Sequence, residues 1–213
     1  MLGFTSATDN LGDGVLRLLA RRRSVREPLR VEQLVERRGG AATALRGMGV
    51  LRYEDHPPHR HWHLDDFVRY ELRRLDGSAV VRDRKSGFCL LDRWGLARPV
   101  AGVSPAPPRF VGDCAALLPR TLRVEQGTSV GYTDRYPAFF HGQDLAVTGL
   151  PAGLYELVHR ANPERRLRER DYANNAASTL LRLSWPGGRA AAPRLQVLRT
   201  CGAGERCYPP TAK

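Results

Sequence analysis

Lysine is almost missing from this 213-residue chain: Lys85 and Lys213 are its only two, and 32 of its 34 basic side chains are arginine. With Lys213 at the last position, Lys85 is a solitary amine in the body of the chain and calls for a chemical explanation. No run of about 18 or more apolar residues occurs, so there is no candidate for a membrane-spanning helix. The four cysteines, Cys89, Cys114, Cys201 and Cys207, include no CxxC pair, which argues against a zinc ribbon. Helical periodicity is weak throughout. The opening stretch MLGFTSATDNLGDG has neither a charged n-region nor an apolar h-region, so it does not read as a secretion signal. The formal charge of +12 is large, but the arginines sit in short clusters: 21–23, 37–38 and 165–170. No nucleic-acid motif and no basic tract interleaved with aromatics accompanies them, so solvated faces are expected rather than a nucleic-acid partner.

What is present is a chain long enough for one domain with a proper core. An even number of cysteines at modest separations suits two disulfides, most simply 89–114 and 201–207, and hence an oxidising compartment. Strand signals dominate. FVRYELRRLDGSAVVRDRK reads as two strands joined at Asp76-Gly77, with Val68, Tyr70 and Leu72 on one face. LVERRGGAATAL resembles a second hairpin around Gly39-Gly40. GLPAGLYELVHRA is a turn into a strand, ASTLLRLSW is a further strand, and the proline-rich 98–109 segment is a long irregular loop. The predicted fold is all-β, a single β-sandwich-like domain over residues 1–213 with long loops and few helices.

HPPHRHWHLDD, residues 56–66, holds four of the six histidines. In an extended strand, side chains at every second position leave the same face, about 6–7 Å apart. His59, His61 and His63 can then aim three imidazoles at one point, with Arg60, Trp62 and Leu64 facing the other way. Three neutral imidazoles suit copper(II) or zinc and leave positions for water or substrate. His56 is a conceivable fourth ligand that Pro57-Pro58 direct elsewhere.

HRHWHLDDFVRYEL, KSGFCLLD, QGTSVGYTDRY, GLPAGLYELVHRANP and ERDYANN, in that order, together resemble the lysyl oxidase family of copper amine oxidases. The resemblance is clear over residues 50–185 and fainter through LGFTSATDNLGDGVL. It implies that His59, His61 and His63 bind copper. It also implies that Lys85 and Tyr136 combine into the family's self-made cofactor, lysine tyrosylquinone, Tyr136 being favoured over nearby Tyr132. The implied reaction oxidises a primary amine, small or peptidyl, to an aldehyde with dioxygen and releases hydrogen peroxide and ammonia. Lysine is ordinarily ammonium, with a pKa of about 10.4, so burial or the charges of Arg82 and Arg84 would have to supply the neutral nucleophile. Asp134, two residues from Tyr136, could serve as the base, but it reads better as a turn cap.

The resemblance also pairs Cys89 with a cysteine in the following loop, a role that Cys114 fits, and it implies calcium at Glu169, Asp171, Asn174 and Asn175. The chain departs from animal members in having fewer cysteines, a longer loop after Cys89, and HGQDL in place of a tryptophan-containing tract, a trimming that suggests a prokaryotic branch. Because the faint match begins almost at Met1, the native product is expected to start earlier and to be secreted or held at the cell surface. A monomer is expected. The rival reading is a non-catalytic copper-binding or adhesive β-sandwich protein.

Overall fold

Val68, Tyr70 and Leu72 set the pattern of the whole chain: every second residue of their strand turns inward and is at most 4% exposed. A computed structural model describes residues 1–36, 40–57, 59–83, 87–202 and 204–208. Among them there is no helix, and the strands, numbered β1 to β17 in chain order, fall into four sheets. The largest runs in space β10 (Gly87–Phe88), β7 (His61–Asp65), β6 (Val50–Glu54), β4 (Leu29–Val35), β3 (Leu16–Arg21), β12 (Arg123–Thr128), with β5 (Thr43–Leu45) paired to β4. The second runs β17 (Arg194–Cys201), β16 (Ala176–Ser184), β15 (Gly153–Ala161), β8 (Val68–Arg73), β9 (Ala79–Arg82). A small sheet joins β11 (Trp94–Gly95), β13 (Tyr132–Tyr136) and β2 (Ser6–Asp9), and a ribbon joins β1 (Leu2–Gly3) to β14 (Asp144–Leu145). The all-β expectation holds, with antiparallel pairing in every sheet.

The main core lies between sheets. Leu18, Leu29, Leu51, Trp62, Leu64 and Phe88 of the largest sheet pack with Val68 and Tyr70 of the second and with Tyr136 of the small one. Trp62 and Leu64 are therefore core residues, and their burial fixes which face of β7 remains for His61 and His63. A second cluster, built on Leu72, Tyr155, Leu181 and Leu183, continues the core along the same face of the second sheet.

The first hairpin forms with a different turn than its dipeptide suggests. Around Asp76-Gly77 only Gly77 takes a positive φ, +89°. The Gly77 N–H donates to the Arg74 carbonyl, and the Asp76 carboxylate caps Ser78, giving a wider turn with glycine last. β4 and β5 pair as expected for the second hairpin, Gln33 opposite Leu45, while Gly39 lies outside the described residues. Residues 98–109 form no strand. The arginines are mostly solvated, but Arg22 is structural: it lies 5.0 Å over the Trp62 ring and donates to the Thr121 and Pro119 carbonyls.

Candidate metal centre and the tyrosine beside it

His61 and His63 project from β7 on the face opposite Trp62 and Leu64. His59 reaches the same point by a different route. β7 begins only at His61, and the His61 N–H donates to the His59 carbonyl, so a tight turn and not an extended strand delivers the first imidazole. Arg60 sits in that turn and pairs loosely with Asp55 at 3.8 Å.

His61 Nε2 and His63 Nε2 are 2.8 Å apart, and one ring nitrogen from each of the three histidines lies within 4.8 Å of the others. Two nitrogens bound to one ion at about 2.0 Å stand about 2.8 Å apart at a right angle and about 4 Å apart when opposed. His61 and His63 already have that cis spacing, and the nearest His59 nitrogen lies within 4.8 Å of both. The donor set, three imidazoles at the edge of a sheet, fits copper(II) or zinc.

β10 lies directly against this cluster. A Cβ on Gly87 would sit 2.6 Å from His63 Cβ and 3.0 Å from His63 Nδ1, so only a bare backbone can approach there. Phe88 pairs across from Leu64, and its ring meets that of Tyr136 edge-on at 5.0 Å. One residue further, the Cys89 N–H donates to Tyr136 Oη at 3.0 Å, and the Cys89 carbonyl lies 3.3 Å from the same oxygen. Three consecutive residues thus connect the metal cluster to the phenol. Lys85, two positions before Gly87 in sequence, lies outside the described residues, as does Arg84. Arg82, invoked to repel the Lys85 ammonium, is instead paired with Glu71 at 3.1 Å.

Tyr136 ends β13 with its ring buried, whereas Tyr132 opens the same strand half-buried opposite Gly95. Burial, and after it the charge of Asp134, holds the Tyr136 phenol well above its ordinary pKa. Asp134 is a buried strand residue and not a turn residue: it stands opposite Thr8, two positions from Tyr136 on the same face. Turn propensity misplaced it because aspartate is depleted in strands and common in turns, and its burial is set by contacts distant in sequence.

Around the phenol lies a buried polar layer whose hydrogen bonding the sequence motifs did not reveal. Gln143 donates to Ser6 Oγ at 3.1 Å, and Ser6 Oγ is 2.6 Å from Tyr70 Oη, whose pKa burial pushes up. His159 packs on Tyr70 at 5.2 Å and approaches Thr8 Oγ1 at 3.3 Å, and burial depresses its pKa to about 4. Asp83 accepts the Tyr70 N–H at 2.8 Å, and burial raises its pKa to about 6. Asp92, at the end of the FCLLD motif, accepts from the backbone of Arg109, Phe110 and Ser129 and pins the proline-rich loop. The expected disulfides, Cys89–Cys114 and Cys201–Cys207, are both formed. The first is tied to β7 by the Trp62 N–H, which donates to the Cys114 carbonyl.

In the 169–175 stretch, Glu169 Oε1 accepts amide N–H groups from Asn162 and Asn175, and Asp171 Oδ1 accepts from Ala173 N–H in a local turn. Asn174 is exposed. Glu169 and Asn175 are therefore brought together, with the Asn175 amide nitrogen facing the carboxylate.

The model of the family described as lysyl oxidase matches residues 17–187. Among curated proteins, the chain is 30% identical over 125 residues to lysyl oxidase homolog 2 of Gallus gallus, covering 56% of this chain and 14% of that protein. It is 34% identical over 122 residues to lysyl oxidase homolog 3A of Danio rerio, covering 57% of this chain and 14% of that one. To lysyl oxidase homolog 4 of Homo sapiens it is 32% identical over 124 residues, covering 56% and 14%. It thus spans about a seventh of the length of these relatives. With a family match across most of its length and the histidine and tyrosine motifs folded side by side, the chain belongs to the lysyl oxidase family.

Proposed function

We propose that this chain is a copper- and quinone-dependent amine oxidase, which converts primary amines to aldehydes with dioxygen and releases hydrogen peroxide and ammonia. One observation carries the reading: three imidazoles whose nitrogens lie within 4.8 Å of one another, backed by a glycine strand whose next residues grip a buried tyrosine. His59, His61 and His63 would hold copper. When bound, copper would supply with dioxygen the oxidation of a nearby phenol, and a quinone built from Tyr136 and Lys85 would supply the carbonyl that takes the amine.

The chain's own groups supply the rest. Phe88 and Phe140 flank the Tyr136 ring edge-on, at 5.0 and 6.1 Å, and exclude water from it. The Cys89 backbone fixes the phenol oxygen, and the Cys89–Cys114 bridge fixes that backbone in turn. Asp134, buried beside Tyr136, is a carboxylate able to take a proton within the site. Glu169, Asp171, Asn174 and Asn175 are the chain's calcium candidates. Two disulfides suit a secreted or cell-surface protein, and we read it as a monomer acting on small or peptidyl amines. A formal charge of +12 favours acidic or dipolar partners over polycationic ones.

The test is peroxide release from a panel of primary amines by copper-loaded protein. The reading expects amine-dependent peroxide that is abolished in His61→Ala and His63→Ala. A folded, copper-loaded protein that yields none across the panel would refute it. The rival, a non-catalytic copper-binding or adhesive protein, has one observation on its side: the phenol oxygen of Tyr136 is buried and held by backbone. Quinone absorbance after aerobic copper loading separates the two.

A further inference from the structure

Five of the six histidines gather in one region, and among the described residues three of them make the candidate metal cluster. The other two, His56 and His141, are stacked on each other at the surface, 5.1 Å between ring centroids, and His141 stands 6.3 Å from His59. They arrive from separate loops, and turns hold both in place. The His59 N–H donates to the His56 carbonyl at 2.5 Å, which ties His56 to the first residue of the cluster. Phe140 and Gln143 close a turn by a 3.0 Å backbone bond, with His141 and Gly142 at its centre and Gly142 at φ +71°. Gln143 is fully buried against Ser6, so the turn that carries His141 is anchored to the core.

His56 is poised as a ligand. Its Nδ1 lies 2.7 Å from the Pro57 carbonyl, which can only accept, so in the neutral ring this contact favours the Nδ1–H tautomer and leaves Nε2 for a metal. With metal–nitrogen bonds of about 2.0 Å and a ring centre roughly 1.1 Å behind its nitrogen, two imidazoles sharing an ion stand roughly 4.4–6.3 Å apart. The 5.1 Å pair falls in that range, as does the 4.6 Å between His61 and His63. The stacked rings must swing about their own axes for both lone pairs to converge. Both side chains are exposed, so that costs little. Exposure then falls stepwise, from exposed His56 and His141 to half-buried His59 and His61 to buried His63.

We propose that His56 and His141 form a second, weaker copper site that captures the ion from solvent and passes it to His59 and the buried cluster. This rests on the copper reading of His59, His61 and His63. The test is equilibrium dialysis of metal-free protein against copper(II), read by metal analysis and electron paramagnetic resonance, together with the rate at which limiting copper fills the cluster. Wild type is expected to bind two copper ions per chain with two superposed signals. His56→Ala combined with His141→Ala is expected to bind one, with the cluster's signal unchanged and its filling slowed several-fold. One ion in wild type, or a double variant that fills the cluster at the wild-type rate, overturns the proposal. Separately, His61→Ala combined with His63→Ala is expected to lose the tight ion and keep the weak one. If it keeps the tight ion, the reading of the cluster itself fails.

Discussion

Gly87 is the position where a single added methyl group should disconnect the site. The built Cβ stands 2.6 Å from His63 Cβ, whereas carbon atoms in contact settle at about 3.5–4.0 Å, so roughly 1 Å of retreat is needed. Backbone pairing of Gly87 with Asp65 and of Phe88 with Leu64 holds β10 in register, so the retreat falls largely on His63. Metal–ligand distances tolerate about 0.2 Å, and His63 cannot both clear the methyl group and keep its ring nitrogen 2.8 Å from that of His61. Gly87→Ala should therefore lower copper affinity about 10–100-fold, the scale seen when a metal ligand loses its orientation. Overpacking should also cost the fold about 1–3 kcal/mol. Competition titration against a copper chelator and thermal melting with and without copper measure the two effects. Gly112→Ala, whose methyl group would meet nothing within 4 Å, is the control. Wild-type affinity and melting temperature in Gly87→Ala would refute the reasoning.

Tyr136→Phe should abolish any quinone absorbance and leave the buried Cys89 N–H without its acceptor. The expected cost is about 1–3 kcal/mol in denaturant unfolding; a neutral effect would mean that the bond is not maintained. Removing the Cys89–Cys114 bridge as Cys89→Ser with Cys114→Ser opens a loop of sequence separation 25 and should cost about 3.5 kcal/mol, read as a lowered unfolding midpoint. Two buried groups should also give opposite pH dependences. Asp83, raised to about 6 from 3.8, binds its proton more tightly when folded. Its contribution stands in full below its unfolded value and is lost as pH rises through about 6. His159, lowered to about 4 from 6.5, contributes in full above its unfolded value and loses that as pH falls through about 4. The two contributions run in opposite directions and oppose one another in wild type. Between pH 4 and 6, Asp83→Asn should gain stability with rising pH and His159→Gln should lose it. Parallel slopes in unfolding titrations would refute the assignment.

The strands were legible because alternation is a local signal: Val68, Tyr70 and Leu72 announce their common face whatever they pack against. The two disulfides and the three histidines were legible for the same reason, being close in sequence. What stayed hidden was set by distant contacts. Nothing local indicates that a turn carries His59 into place, that Asp134 is buried beside Tyr136, or that His141, 78 residues beyond His63, joins the same region. Asp92 likewise looks like any loop carboxylate until three backbone N–H groups from residues 109, 110 and 129 converge on it. Gly87 appears in sequence only as a spacer in KSGFC, and its necessity emerges from the position of His63.

The central claim is that copper bound by His59, His61 and His63 drives Tyr136 and Lys85 into one covalent unit. Peptide mass spectrometry after aerobic copper loading and phenylhydrazine treatment tests it most directly. The account predicts a single labelled species that joins the peptides carrying Lys85 and Tyr136, absent without copper and absent in His61→Ala. Separate, unmodified Lys85 and Tyr136 peptides from fully copper-loaded protein would contradict it.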